Sequence, residues 1–194
     1  EGASGFNVRG GNADQNLIIL DEAPVYNSSH LFGFFSIFNA DAVKDVKLFK
    51  GGMPANYGGR LSSVLDIRQK EGNSKKFSAS GGIGLLSSRL TLEGPIVKDK
   101  VNFMLAGRRS YFDLFFPLFD VPELNESVAY FYDFNAKLNA KVSKKDKIYL
   151  SAYFGRDQFS ASELFKFGWG NWTSTLRWNR VISPKWFFNA SAVY

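Results

Sequence analysis

The sequence predicts a mainly β protein, with about seven strands of a transmembrane antiparallel β-barrel preceded by part of a small mixed α/β domain. In its second part, long runs of apolar and polar residues alternate strictly. The connections between these runs are alternately short and basic, or longer and rich in acidic and aromatic residues. Aromatic residues make up 16% of the chain although the mean hydropathy is only -0.16. Rings are therefore abundant in a chain that is not apolar throughout.

The longest alternating run covers residues 130–142. Successive side chains of a strand point to opposite faces, so this run has one apolar and aromatic face and one that is mostly polar. About 13 residues at about 3.4 Å each reach roughly 44 Å, enough to cross a bilayer core at a tilt of about 45°. The apolar face consists of Tyr130, Tyr132, Phe134, Ala136, Leu138, Ala140 and Val142, and the other face of Phe131, Asp133, Asn135, Lys137, Asn139 and Lys141.

The same alternation recurs in residues 148–154, 171–179 and 186–194, and it predicts two environments. The apolar face of a barrel strand contacts lipid, and the polar face lines the interior. The expected lipid-facing set contains Leu138, Trp172, Leu176, Trp178 and Ala190. The expected interior set contains Asn135, Lys137, Arg177 and Asn179.

The connections predict the orientation of the barrel. Each short connection carries at least one lysine, and these include Lys98, Lys145 and Lys185. A longer loop, at about residues 112–127, carries Asp120, Glu123 and Glu126. Because periplasmic turns are short and extracellular loops are longer in bacterial barrels, we expect the three lysines in the periplasm and the three acidic residues outside.

Composition argues against an enzyme. The chain has no cysteine and one histidine, His30, which excludes thiol catalysis and leaves little room for a metal site, so neither a metal nor another cofactor is expected. The glycine pairs Gly10-Gly11 and Gly58-Gly59 lack the residues of a phosphate loop. Asp21 and Glu22 are adjacent and cannot flank one bond as a catalytic carboxylate pair.

A polar segment at residues 72–76 divides the chain, and we place a domain boundary there, with one domain at 1–72 and the other at 73–194. In the first domain, residues 17–20 predict a short buried strand. Residues 46–49 and 62–68 alternate and predict two more. A mixed sheet is expected.

Ordered blocks of this first domain resemble the plug of TonB-dependent outer-membrane transporters, in particular the Bacteroidetes type. The blocks are GFNVRGG at 5–11, DQNLIILD at 14–21, VYNSSHLFG at 25–33, VKDVKLFKGG at 43–52 and PANYGGRLSSVLDI at 54–67. The segment LTLEGP at 90–95 is similar to an early barrel hairpin of this family. The resemblance therefore covers the C-terminal part of the plug and the first barrel strands. Many members carry Asp-Gly where this chain has Asp21-Glu22, so its turn lacks the glycine.

The resemblance implies active uptake of a scarce nutrient across the bacterial outer membrane, with plug apices and extracellular loops binding ligand and the plug gating the barrel. It implies contact with outer-membrane lipid and with TonB, through a segment missing from this chain. The implied cargo is a small molecule, a glycan or a peptide, and the resemblance also allows a surface lipoprotein as a partner. The implied ligand-binding residues are Tyr26, Asn27, Ser28, Ser29 and His30. The implied plug–barrel contacts are Arg9, Arg60 and Asp66. Since plugged transporters have about 22 strands, the chain is expected to be an interior fragment.

Three alternatives remain open at this point. A soluble β-sandwich also has alternating strands, but it does not need strands of this length. A structural or passive outer-membrane barrel would have the same strands. This alternative does not explain why a plug-like domain precedes them. A single-stranded nucleic-acid-binding β protein would use the net charge of +6 and the many rings. However, nucleic acid is not expected as a partner, because the lysines collect in turns away from the rings.

Overall fold

The computed structural model describes residues 6–118, 127–161 and 165–194. In these residues the chain forms a small N-terminal part and a sheet of seven long strands. The strands of the N-terminal part are β1 (Asn16–Leu20), β2 (Ala23–Pro24), β3 (Ser29–His30), β4 (Phe35–Ser36), β5 (Val43–Phe49) and β6 (Ser63–Gln69). Short 3-10 helices cover Ala13–Gln15 and Leu31–Gly33.

The main sheet of the N-terminal part is mixed, as the sequence predicts. Its strand order is β2-β1-β6-β5. Strand β1 pairs with β6 in parallel, and the other two pairings are antiparallel. The apolar run of β1 and the buried Val64 and Ile67 of β6 place the most hydrophobic segments at the centre of this sheet.

The long strands are β7 (Ser78–Ile83), β8 (Ser87–Val97), β9 (Val101–Ser110), β10 (Val128–Lys141), β11 (Asp146–Ala161), β12 (Phe165–Ser183) and β13 (Trp186–Val193). Each pairs antiparallel with its neighbours in chain order, so the sheet is an up-and-down meander. Strand β12 has 19 residues. A tilted strand needs only about 9–11 residues to cross a bilayer, so the β11–β12 hairpin projects beyond it.

The two faces of the long-strand sheet are buried in the opposite sense to those of a soluble protein. In β10, the buried side chains include Asp133, Asn135, Lys137 and Asn139, whereas Phe134 is exposed. The N-terminal part covers the polar face, and the apolar face is left open. This arrangement fits a lipid-facing outer surface.

The hydrophobic core lies where the two parts meet. Leu20, Val25, Ile37 and Ile67 of the N-terminal part pack with Tyr153 of β11. A second cluster joins Leu31 of the N-terminal part to Phe116, Ala129 and Phe131. The two parts therefore share their core.

The predicted fold class is confirmed, and the local differences are small. Strand β10 begins two residues before the predicted run. The start of the predicted long loop is a 3-10 helix, Phe112–Leu118. Asp120, Glu123 and Glu126 lie outside the described residues.

The mixed sheet ends at Gln69 and the long-strand sheet begins at Ser78. The domain boundary at residue 72 falls between these two strands and stays a prediction. No helix in the described part of the chain is long and apolar enough to cross a membrane.

Candidate functional site

The turn between β1 and β2 places two carboxylates against the long-strand sheet. Asp21 and Glu22 both adopt positive φ, 47° and 75°, which is uncommon for residues other than glycine. Lys137 Nζ lies 2.9 Å from each carboxylate oxygen of Asp21 and also donates to the carbonyl oxygen of Gln69 at 3.2 Å. The backbone N–H of Gln69 donates to Asp21 Oδ1 at 3.2 Å. Asp21 thus fastens the turn to both β6 and β10.

Glu22 makes the second contact of this turn. Arg177 of β12 donates from its guanidinium to Glu22 Oε1 at 3.0 Å, and Ser191 of β13 donates to Glu22 Oε2. A glycine at position 22 would relieve the backbone but would remove both contacts. Glu22 therefore connects the turn to two further strands, β12 and β13.

His30, at the end of β3, is enclosed by the wall formed by β10 and β11. Its side chain is 1% exposed. Nδ1 lies 2.7 Å from Asp157 Oδ2, and because a carboxylate only accepts, Nδ1 carries a proton. Nε2 lies 3.4 Å from Asp133 Oδ2 and 3.4 Å from the hydroxyl oxygen of Tyr153. The imidazole stacks on Phe131 with centroids 4.2 Å apart.

Arg108 of β9 completes this cluster. Its guanidinium donates to Asp133 Oδ2 from Nε at 2.8 Å and from a terminal nitrogen at 2.5 Å. The same terminal nitrogen donates to the carbonyl oxygen of Ser36 at 2.6 Å. Strands β3, β4, β9, β10 and β11 are thereby joined through buried charges.

The two carboxylates change the acid–base behaviour of the imidazole. Burial by itself lowers the pKa of His30, but the hydrogen bonds and negative charges of Asp133 and Asp157 outweigh it and raise the pKa above its ordinary 6.5. The surroundings therefore favour the protonated ring.

The residues after His30 have an unusual backbone. Leu31 and Phe32 have φ values of 47° and 58°, in the left-handed region. Such a conformation costs about 1–3 kcal/mol per bulky residue and persists only when other contacts impose it. Here Asp157 accepts the backbone N–H of Leu31 at 2.8 Å through Oδ1. The Phe32 ring packs against Phe159 and Trp169 of the projecting hairpin, at centroid distances of 5.3 Å and 5.1 Å.

The residues predicted to bind ligand occupy two different environments. Tyr26 is 84% exposed. Together with Asn27, Ser28 and Ser29 it lines a cavity of about 270 Å³. The carbonyl oxygen of Asn27 accepts from Asn171 of β12 at 2.8 Å. His30 lies apart from this cavity, with its ring nitrogens directed at the long-strand sheet.

The residues predicted to join the two parts make other contacts. Asp66 accepts from the Tyr57 hydroxyl at 3.1 Å and from Arg68 at 3.4 Å, both in the N-terminal part. The Arg9 guanidinium lies against Gly51, where an added Cβ would be 2.7 Å from it. Arg60 lines the cavity beside Tyr26 and a larger one that reaches β13.

The charged residues that join the two parts include Asp21, Glu22, Asp133, Lys137, Asp157 and Arg177. The sequence predicts Lys137 and Arg177 on the face toward the lumen or plug, but it names no partner for them. One signal was present, because Asp133, Lys137 and Arg177 occupy the polar face of predicted barrel strands. A charge there needs either water or an opposite charge from the segment that fills the barrel.

In the described residues no group of three or more His, Asp or Glu side chains could hold a metal ion. The arrangement suits reversible docking, since its polar groups can return to water on separation.

Sequence comparison agrees with this architecture. The model of the TonB-dependent Receptor Plug Domain matches residues 1–64. This N-terminal segment is a TonB-dependent receptor plug domain. Residues 1–64 carry the plug domain, and the long-strand sheet forms a wall against which the plug is docked. The predicted resemblance to the plug of TonB-dependent transporters is therefore confirmed. The narrower assignment to the Bacteroidetes type stays a prediction.

Solved structures show the same fold. Two mutants of the ferric enterobactin receptor PfeA from Pseudomonas aeruginosa, one of them in complex with enterobactin, each match with a TM-score of 0.61 and 14% identity. The alignments cover 94% of this chain but only 32% and 33% of the receptors. The chain thus spans about a third of their length, and at this identity the likeness is one of fold. No curated protein matches the chain.

Proposed function

We propose that the chain is part of a transporter that takes up a scarce nutrient across the bacterial outer membrane with energy delivered through TonB. Support comes mainly from the docking of the plug on the polar face of the barrel wall through ion pairs and hydrogen bonds. Apolar contacts with Tyr153 and Phe131 also cross this boundary, but the charged contacts beside them can be broken and solvated when the plug moves. The plug is accordingly the gate of the barrel.

The ligand is proposed to bind at the loop that carries Tyr26, Asn27, Ser28 and Ser29. An exposed ring beside hydroxyl and amide groups can recognise a small molecule, a glycan or a peptide. The Arg60 side chain on the same cavity adds a cation. The sequence resemblance implies a ligand contact for His30, whereas its contacts with Asp133 and Asp157 support a role in holding the plug.

Arg9, Arg60 and Asp66 remain candidates for plug–barrel contact, and the cavity that Arg60 lines already reaches β13. The proposed partners are TonB, the transported ligand, outer-membrane lipid and a surface lipoprotein. No cofactor and no catalytic step enter this function.

Uptake by cells that produce the full-length receptor tests the proposal. Four labelled probes cover the cargo classes: ferric enterobactin, cyanocobalamin, a maltooligosaccharide and a short peptide. We expect one class to accumulate only when TonB is functional. Equal uptake without TonB would support a passive barrel, and failure of every class to enter through the receptor would contradict the proposal.

Substitution of the apical loop tests the binding site separately. The variant Tyr26→Ala/Asn27→Ala should bind the accumulated probe more weakly and still assemble in the membrane. The control Lys76→Ala changes an exposed residue near the start of β7 and should leave binding unaltered. Unchanged affinity in the loop variant would remove the loop assignment and leave the transport proposal standing.

A further inference from the structure

We propose that His30, Asp133 and Asp157 form a proton-dependent latch that holds the apex of the plug against the barrel wall. The latch is closed when both ring nitrogens of His30 carry a proton, and it weakens when Nε2 loses its proton. It goes beyond the proposed transport, because it concerns when the plug is held, whatever the cargo is.

The charges that face His30 balance only when the ring is a cation. In the described part of the chain, β11 contributes Asp157 and the neutral Tyr153, β10 contributes Asp133, and β9 contributes Arg108. From the plug, β4 contributes only the Ser36 carbonyl oxygen to Arg108. Two carboxylates against one guanidinium leave a net charge of −1, which protonated His30 cancels.

Loss of the proton acts on one contact first. Neutral His30 keeps the Nδ1–H that donates to Asp157, and Nε2 becomes an acceptor. Nε2 can then accept from the Tyr153 hydroxyl at 3.4 Å but no longer donates to Asp133 Oδ2. This carboxylate therefore faces an acceptor, in a buried site with an uncancelled negative charge. The link between the plug and β10 is therefore weakened.

The strained backbone makes the latch two-state in character. Asp157 holds both the imidazole and the N–H of Leu31, so it imposes the left-handed conformation of Leu31 and Phe32. If the imidazole withdraws, Leu31 and Phe32 can relax to ordinary φ values. Phe32 then leaves the rings of the projecting hairpin, and the change at His30 reaches the outer end of the barrel.

The pH window follows from the direction of the pKa shift. The pKa of His30 is raised in the docked plug, so its contribution is complete below the ordinary value of 6.5. The contribution is lost as the pH rises through the docked value. The latch is thus firm in mildly acidic conditions and loose in alkaline ones.

Hydrogen exchange in the purified full-length receptor, without ligand, tests the latch. The observable is exchange of the peptide containing Leu31 and Phe32, corrected for the intrinsic pH dependence of amide exchange. Between about pH 5.5 and about pH 8.5 we expect protection to fall about tenfold for each unit by which docking raises the pKa. The variant His30→Gln keeps a neutral side-chain donor and should show no such pH dependence.

A second variant keeps the latch testable if His30→Gln does not fold. Asp157→Asn keeps an acceptor for the Leu31 N–H and removes one negative charge, so the midpoint should move to lower pH. As a matched control, Asp21→Asn/Lys137→Met removes another buried plug–barrel ion pair without leaving an unpaired titratable group, so it should change protection by the same factor at both pH values. Constant protection in the wild-type receptor, or an unaltered pH response in His30→Gln, would overturn the latch.

Discussion

The ammonium group of Lys137 lies 2.9 Å from both carboxylate oxygens of Asp21, across the boundary between the barrel wall and the plug. The two side chains are only 5% and 8% exposed. An unpaired charge in such a place is costly, so each residue requires the other. The pair therefore fixes where the β1–β2 turn sits on β10 more than it adds net stability.

Removal of one partner should loosen the plug. Lys137→Met leaves the Asp21 carboxylate buried and unpaired, which costs about 3–5 kcal/mol. We expect faster hydrogen exchange of residues 17–24 in the full-length receptor. The double variant Asp21→Asn/Lys137→Met should recover much of the loss, because asparagine tolerates the positive φ and can still accept the Gln69 N–H. A double variant as loose as the single one would show that the pair is not the cause.

The strands could be predicted from sequence because the signal is local. Alternation along residues 130–142 needs only neighbouring residues to assign Asp133 and Lys137 to one face and Phe134 to the other. The structure places Asp133 and Lys137 on the buried face, as predicted. The expected plug also implied that the polar face of the barrel strands is buried, because the plug fills the barrel interior.

The contacts of the plug could not be predicted in the same way. Asp21 and Lys137 are separated by 116 residues, and His30 and Asp157 by 127. No periodicity connects positions so far apart, and they meet only when the plug is docked. Asp66 illustrates the difficulty, since its sequence gives a charge on a strand but not the nearby Tyr57 and Arg68 that it contacts.

Charge on the outer face of the wall should destabilise it. Ala152 lies on the apolar face of β11 between Ala136 and Ser174, near the middle of the sheet. Ala152→Arg should cost about 2–4 kcal/mol in refolding of the full-length receptor into lipid vesicles, the penalty for arginine near the bilayer midplane. Ala152→Leu adds bulk without charge and should cost far less. Equal losses would mean that this face does not contact lipid.

A control on the inner face is less suitable for this purpose. Asn139 is buried, and its side-chain amide donates to the carbonyl oxygen of Glu71 in the plug. Asn139→Arg would therefore displace the plug as well as change the barrel. The leucine control avoids that second effect.

The ends of the sheet should differ in access. The connections that carry Lys98, Lys145 and Lys185 are those of β8 to β9, β10 to β11 and β12 to β13. They all lie at one end of the sheet, because they are every second connection of an up-and-down meander. Leu118 lies in the connection from β9 to β10, at the opposite end, and is exposed. With an impermeant thiol reagent on intact cells, Leu118→Cys should be labelled and Lys145→Cys should not. Permeabilised cells should label both, and the reverse pattern on intact cells would invert the orientation.

Cross-linking the plug to the wall should separate ligand binding from transport. Glu22 and Ser191 are in hydrogen-bond contact across this boundary. The chain has no cysteine, so cysteines introduced at these two positions can be bridged selectively within this chain by a short reducible cross-linker. The full-length cross-linked receptor should bind the transported probe and fail to accumulate it in cells, and a reductant should restore accumulation.

A matched pair within the wall decides whether plug movement is the step that is blocked. Asn179 and Asn189 face each other on β12 and β13, so bridging cysteines there ties two barrel strands and leaves the plug free. This second receptor should transport whether it is cross-linked or reduced. If the plug must leave the wall during uptake, only the pair at positions 22 and 191 stops transport. Undiminished uptake with that pair bridged would show that ligand passes while Glu22 and its turn stay in place, and gating by this part of the plug would have to be abandoned.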